Sequence, residues 1–151
     1  MKIVLSIVVL ALILVFGAYF LTFYKKPADI KTAKIEINGS ILTAEIADTN
    51  ALRAKGLSTR ESMLQDYGML FIFPASGNYS FWMKGMLFPL DFVWVNGETV
   101  VDLKENVALP GDVLSENWPS FSSRQPFDKA LELNAGAIKS LGIKVGDRVK
   151  F

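Results

Sequence analysis

The 151-residue chain contains no histidine and no cysteine. Without imidazole there is no Ser-His-Asp relay, and without imidazole or thiolate the usual zinc, copper and haem ligand sets cannot be assembled. Disulfides and a lipid-bearing cysteine are excluded as well. Acid, base and ligand work falls to carboxylates, lysine, tyrosine, hydroxyls and backbone, so a metal would have to be a hard, oxygen-ligated ion. An excess of either charge is also missing. There are 16 Lys+Arg against 15 Asp+Glu, a net charge of +1. Residues 30–151 hold 13 Lys+Arg and 14 Asp+Glu, a balance of −1. Nucleic-acid binders draw affinity from a basic stripe that releases counterions, and no such stripe exists here. We expect no nucleic-acid partner, no metal and no cofactor.

Charge is absent altogether from Ile3 to Phe23. At helical rise these 21 residues span about 30 Å, the thickness of a hydrocarbon core. Lys2 precedes the run, and Tyr24-Lys25-Lys26-Pro27 follows with an interfacial aromatic, charges and a helix stop. The expectation is an N-terminal transmembrane anchor over residues 1–26, a linker over 27–33 and a β-rich domain over 34–151. A cleavable signal segment is the alternative, with Val15-Phe16-Gly17 as its small-residue site. Lys25, Lys26, Lys31 and Lys34 outnumber Lys2, which taken literally would hold the domain in the cytoplasm. A hydrophobic segment ahead of one folded domain is also the layout of an export signal, and we expect an extracytoplasmic domain at the cell envelope.

The remainder reads mainly as short strands. Lys34-Ile-Glu-Ile alternates, Asn38-Gly39 signals a type I′ turn, and Ile41–Ala47 forms the return strand. Asp48 or Thr49 can cap a short helix through Lys55, ended by Gly56 in the left-handed conformation. Ser58 and Glu61 suggest a capping box for a second helical turn. Met69–Phe73, Tyr79–Met83, Leu90–Val95 and Thr99–Lys104 read as strands, the last two joined at Asn96-Gly97. Residues 105–126, with Trp118 and Phe121, suggest a long loop, and Phe127–Leu133 resumes a strand. Ala137–Leu141 makes a helical turn ended by Gly142, and Val145–Phe151 closes with a turn and strand. Gly56, Gly68, Gly77, Gly85, Gly136, Gly142 and Gly146 read as turn residues. The expected architecture is a compact β-sandwich or barrel-like domain with one or two short helices.

Asp91 lies in Leu90-Asp-Phe-Val-Trp-Val95, apolar on both faces, and a carboxylate there is either a perturbed acid or ligand anchor or a structural group. The structural reading pairs it with Arg53 or Lys84, or with backbone N–H groups near the strand start. Glu132 points away from Leu131 and Leu133, beside Ala130. That is ordinarily a solvent-facing position. If Asp91 and Glu132 converge instead, they could act as acid and base on a glycosidic bond. Trp82 and Lys84 share one face of Phe81-Trp-Met-Lys84, where an indole could stack on a sugar or aromatic ring while the ammonium meets a carboxylate or phosphate. Trp94 reads as core, whereas Trp118, a loop tryptophan, is a binding candidate. Asp102, Glu105 and Asp112 could reach a calcium ion but lack the dense oxygen pattern of a calcium loop.

Arg53-Ala-Lys-Gly-Leu57, Gly68-Met-Leu-Phe71, Phe81-Trp-Met-Lys84, Pro89-Leu-Asp91, Ala130-Leu-Glu-Leu133 with Gly136, and Gly146-Asp147 occur in one order across residues 34–151. In this the chain resembles the family called domain of unknown function 192. The resemblance implies a compact β-sandwich or barrel-like domain, often exported or membrane-anchored in prokaryotes, with no established activity. Two places depart from the family's pattern. Ser58-Thr59 stands where the family usually continues with Met and an Arg-containing turn, and Gly85-Met86 stands where it often has Asn-Thr. The functional expectation is a membrane-anchored module binding a small molecule, a glycan or an envelope protein through Trp82, Lys84, Asp91, Glu132, Arg53 and Trp118. A carboxylate-dependent hydrolase acting on envelope glycans, and a structural or assembly protein, are the alternatives.

Overall fold

The computed structural model describes residues 30–109, 111 and 119–151. The expected membrane segment, residues 3–23, and Trp118 lie outside the described residues. The domain is mainly β, a curled half-barrel sheet with two short helices. In chain order these are β1 (Thr32–Ile37), β2 (Ser40–Ala47), α1 (Asn50–Lys55), β3 (Tyr67–Gly77), β4 (Phe81–Trp82) and β5 (Leu90–Asn96). They continue with β6 (Thr99–Val107), β7 (Ser120–Phe121), β8 (Phe127–Asn134), α2 (Ala137–Ser140) and β9 (Val149–Lys150). Seven strands form one sheet in the order β6-β5-β8-β3-β2-β1-β9, while β4 and β7 pair separately. Every neighbouring pair is antiparallel except β2 with β3. α1 lies between those two strands in sequence, the kind of crossover that a parallel pair requires.

The sheet curls until its two ends meet at one corner. Val149 N–H donates to Glu98 O at 2.8 Å, and across the same junction Gly146 N–H donates to Val100 O at 2.8 Å and Val100 N–H to Asp147 O at 2.9 Å. Ile35, Ile37, Leu42, Leu70, Val93, Val95, Val100, Leu131, Leu133 and Val149 form one buried cluster with Ile138 of α2. Because every strand of the large sheet contributes, this cluster is the inside of the curl.

Strand alternation sends a second set outward, and it is buried too. Met69, Phe71, Phe92, Trp94, Phe127 and Ala130 pack beneath Leu57, Phe81, Met83 and Met86. The rings interlock edge to face, with centroids 5.5 Å apart for both Phe71–Phe81 and Phe81–Phe92. The sheet is therefore covered on both sides, which explains why Leu90–Val95 is apolar throughout.

The Asn38-Gly39 turn forms as its sequence implies, with φ of 51° and 77°. Thr49 caps α1, accepting from Leu52 N–H at 3.2 Å. Other local expectations need correction. Gly56 has φ 51° but ψ −141°, so it ends α1 outside the left-handed helical region. No helix forms at Ser58–Glu61, where Ser58 Oγ instead donates back to Lys55 O. Asn96 pairs with Thr99, which puts the turn at Gly97-Glu98, with Gly97 at φ 63°. Only Phe81–Trp82 of the expected Tyr79–Met83 strand is in a ladder. Gly68 and Gly77 lie within β3. A Cβ on Gly68 would stand 2.8 Å from Glu132 O and 2.9 Å from Leu133 Cδ2, so this glycine permits close strand approach.

Candidate functional site

Asp91 and Glu132 do not converge. In the β5–β8 ladder Asp91 is opposite Leu133 and Glu132 is opposite Phe92, so the two carboxylates occupy opposite faces of the sheet. They cannot flank one glycosidic bond. Asp91 is fully buried inside the curl. Its Oδ1 accepts from Asn106 N–H at 2.7 Å and its Oδ2 from Ile138 N–H at 2.8 Å. The β5–β6 register shifts here, and Asn106 takes φ 51°, turning its N–H toward the carboxylate. Asp91 thus ties a bulge to the first turn of α2, and neither Arg53 nor Lys84 is its partner. This is a structural job.

Glu132 is a different carboxylate. The expected solvent-facing position is overturned, because α1, the Leu57–Ser58 turn and the Phe81–Met86 segment cover the outer face of β8. Only 5% of the residue is exposed, and its Oε2 has no hydrogen-bond partner among the described residues. Burial alone pushes its carboxyl pKa up to about 8.

Glu132 lies at the floor of a cleft of about 210 Å³. Phe71, Phe73, Phe81 and Trp82 supply aromatic wall, and Leu57 and Met86 add aliphatic surface. Among the described residues, Arg53, Lys55 and Lys84 are the cations around it, and Glu132 is its one carboxylate. Alternation along Phe81-Trp-Met-Lys84 works as the sequence implies. Phe81 and Met83 are buried, while Trp82, 52% exposed, and Lys84 face the cleft mouth.

Arg53 comes to the cleft as a fixed cation. Its Nη1 donates to Asp48 O at 2.8 Å and Ile72 O at 2.6 Å, its Nη2 to Asn50 Oδ1 at 2.5 Å, and its guanidinium lies 5.4 Å from the Phe73 centroid. Lys55 and Lys84 have no carboxylate partner among the described residues. Trp82, Lys84, Arg53 and Glu132 are therefore brought together, and Asp91 is not. Lys55, Phe71 and Phe73 went unnoticed in the sequence. The first is adjacent to Gly56 in the Arg53–Leu57 motif, but nothing local distinguishes a cleft lysine from a solvated helix end.

The two departures from the family pattern meet at the cleft wall. Thr59 N–H donates to Gly85 O at 2.8 Å, and a Cβ on Gly85 would lie 3.3 Å from Ser58 Cβ. Thr59 itself sits at φ 67°, an uncommon conformation for a β-branched residue.

Asp102, one of the three carboxylates that lack the pattern of a calcium loop, is engaged by Arg124. Arg124 Nη2 donates to its Oδ1 at 2.6 Å and Arg124 N–H to its Oδ2 at 2.8 Å. The Arg124 side-chain bond, joined by the backbone bonds from Arg124 and Leu103, draws the carboxyl pKa down to about 2. The pair pins the chain leading into β8.

Two crystal structures share this fold. A protein of Sinorhizobium meliloti 1021 called a "putative transcription regulator" is 30% identical, with a TM-score of 0.74 over 83% of this chain and 97% of that one. A protein of unknown function from Novosphingobium aromaticivorans DSM 12444 is 26% identical, with a TM-score of 0.72 over 83% and 90% of the respective chains. No curated protein sequence matches the chain. The family profile described as uncharacterized ACR matches residues 33–151, so the chain belongs to the family of domain of unknown function 192.

Proposed function

We propose that this domain is a small-molecule-binding module whose ligand seats in the cleft above Glu132. One observation carries the reading: a buried carboxyl with an unpartnered oxygen forms the floor of an aromatic-walled concavity. A packed core has no use for such a group, since an unmet buried polar atom costs about 1–3 kcal/mol. A few convergent polar groups in an apolar concavity are the usual make-up of a ligand site. The cleft is smaller than the roughly 300–1,000 Å³ of drug-sized sites, which suits a compact ligand.

A ligand-observed NMR screen of a small-molecule library, run on the full chain in lipid nanodiscs, tests this. We expect hits that Glu132→Leu, which removes both donor and acceptor from the floor, weakens and that quench Trp82 fluorescence. A library without such hits, or hits indifferent to Glu132 and Trp82, sinks the reading. The opposed placement of Asp91 and Glu132 removes support from a two-carboxylate hydrolase. The near-neutral charge gives no support to a regulator that grips nucleic acid.

We further propose that residues 3–23 hold the module at the membrane, with the domain on the extracytoplasmic side. The support is the uncharged run and its flanks. Mass spectrometry of the cell-derived protein should find residues 3–23 retained in the membrane fraction. A mature N-terminus near Ala18 would overturn the anchor.

A further inference from the structure

We infer that the cleft is built for a small aromatic anion, a ring bearing a carboxylate at one end and a neutral hydrogen-bonding group such as a hydroxyl at the other. The inference rests on the cleft being a ligand site and names the ligand's chemistry from three features of the walls.

The first is the charge of the lining. Among the described residues of the lining, Arg53, Lys55 and Lys84 stand against one carboxylate, Glu132. Lys55 and Lys84 lack a carboxylate partner among the described residues, as do Lys34, Lys104, Lys139 and Lys144, but these two line an apolar cleft. Unpaired ammonium groups at the mouth of an apolar cleft favour an anion there, because partial desolvation strengthens the attraction.

The second feature is the floor. Desolvation keeps Glu132 protonated at neutral pH, so it adds no negative charge against an incoming anion. A protonated carboxyl both donates and accepts, and a hydroxyl on the ligand matches both functions. Arg53 supplies no rival partner at the floor, since its guanidinium bonds go to Asp48 O, Ile72 O and Asn50 Oδ1.

The third is the shape and material of the space between. Phe71, Phe73, Phe81 and Trp82 surround it, and flat ligands gain from stacking or edge contact with such rings. Trp82 is anchored through the β4–β7 pair, opposite Ser120, while its indole remains half exposed. It can close over a ring without giving up packing.

Three probes separate the terms. 4-Hydroxyphenylacetate carries ring, carboxylate and hydroxyl; phenylacetate lacks the hydroxyl; tyramine replaces the anion with a cation. Calorimetric titration of the full chain in nanodiscs at pH 7 should give the tightest binding for the first. We expect phenylacetate to be roughly tenfold weaker, through loss of the partner for Glu132. Tyramine should bind weaker still. Lys84→Gln, at an exposed position that leaves folding untouched, should erase most of the preference for anion over cation.

Tyramine binding as well as 4-hydroxyphenylacetate, an anion preference unchanged in Lys84→Gln, or no saturable binding by any of the three would each overturn the aromatic-anion class. The cleft reading fails separately, when a broad screen yields no ligand sensitive to Glu132→Leu.

Discussion

Two carboxylates embedded in apolar strands turn out to have opposite energetic signs. Asp91 accepts a backbone N–H on each oxygen, from Asn106 and Ile138. Glu132 keeps an oxygen without a partner. Its ordinary value is 4.5, and burial moves it to about 8. Above pH 4.5 the unfolded chain releases this proton while the folded chain retains it, so stability falls as pH rises toward 8 and levels off beyond. The loss across that window is on the order of a few kcal/mol. Glu132→Gln should flatten this slope and raise the melting temperature near pH 8 by on the order of 10 °C. Asp91→Asn should act the other way, because the amide leaves one N–H facing a donor; about 2–3 kcal/mol of stability goes with it. Thermal melts of the two variants across pH 5–8 decide both roles. A Glu132→Gln melt no higher than wild type, or an Asp91→Asn melt at or above it, contradicts the assignment concerned.

At the scale of elements, sequence is informative where a residue's own backbone preference decides the outcome. Asn38-Gly39 tolerates two successive positive φ values, and Thr49 is a strong N-cap, so the first hairpin and α1 start where the residues say they should. It is less informative where a long-range contact chooses between local options. Ser58 and Glu61 have the spacing of a capping box, yet Ser58 donates to Lys55 O and Thr59 bonds to Gly85 O, so the segment is held as a cleft wall. Gly97-Glu98 takes the turn in place of Asn96-Gly97 because Asn96 still pairs with Thr99 in the β5–β6 ladder. Gly68 looks like punctuation in sequence but opens the β3–β8 ladder, opposite Leu133, where a Cβ would strike the Glu132 carbonyl. The site followed the same rule. Trp82 and Lys84 share a face by simple alternation, whereas the burial of Glu132 depends on what distant segments lay over β8.

On the scale of the whole molecule, one short strand sets the curvature that separates the two faces. β9 is two residues long, yet it pairs with β1 through Glu36–Lys150 and Ile37–Val149, and it meets the turn that leads into β6 through Val149 N–H and Glu98 O at 2.8 Å. Val149 is buried against the inner cluster that contains Ile35 and Ile37. β9 therefore covers the exposed edge of β1 and closes the corner of the curl, two tasks that an open sheet would leave undone. The cleft lies on the outer face over β3 and β8, three and four places along the sheet order from β9. Truncation after Lys144 should accordingly lower stability by several kcal/mol, open the inner cluster to a hydrophobic dye and make β1 exchange its amide protons fast. The strands beneath the cleft, β3 and β8, should keep the slowest-exchanging amides of the truncated chain. Hydrogen-exchange mass spectrometry on the full-length and truncated proteins reads both regions at once. Unchanged protection in β1 would mean that the curl holds without its closing strand, and uniform loss through β3 and β8 would mean that the two faces cannot be uncoupled.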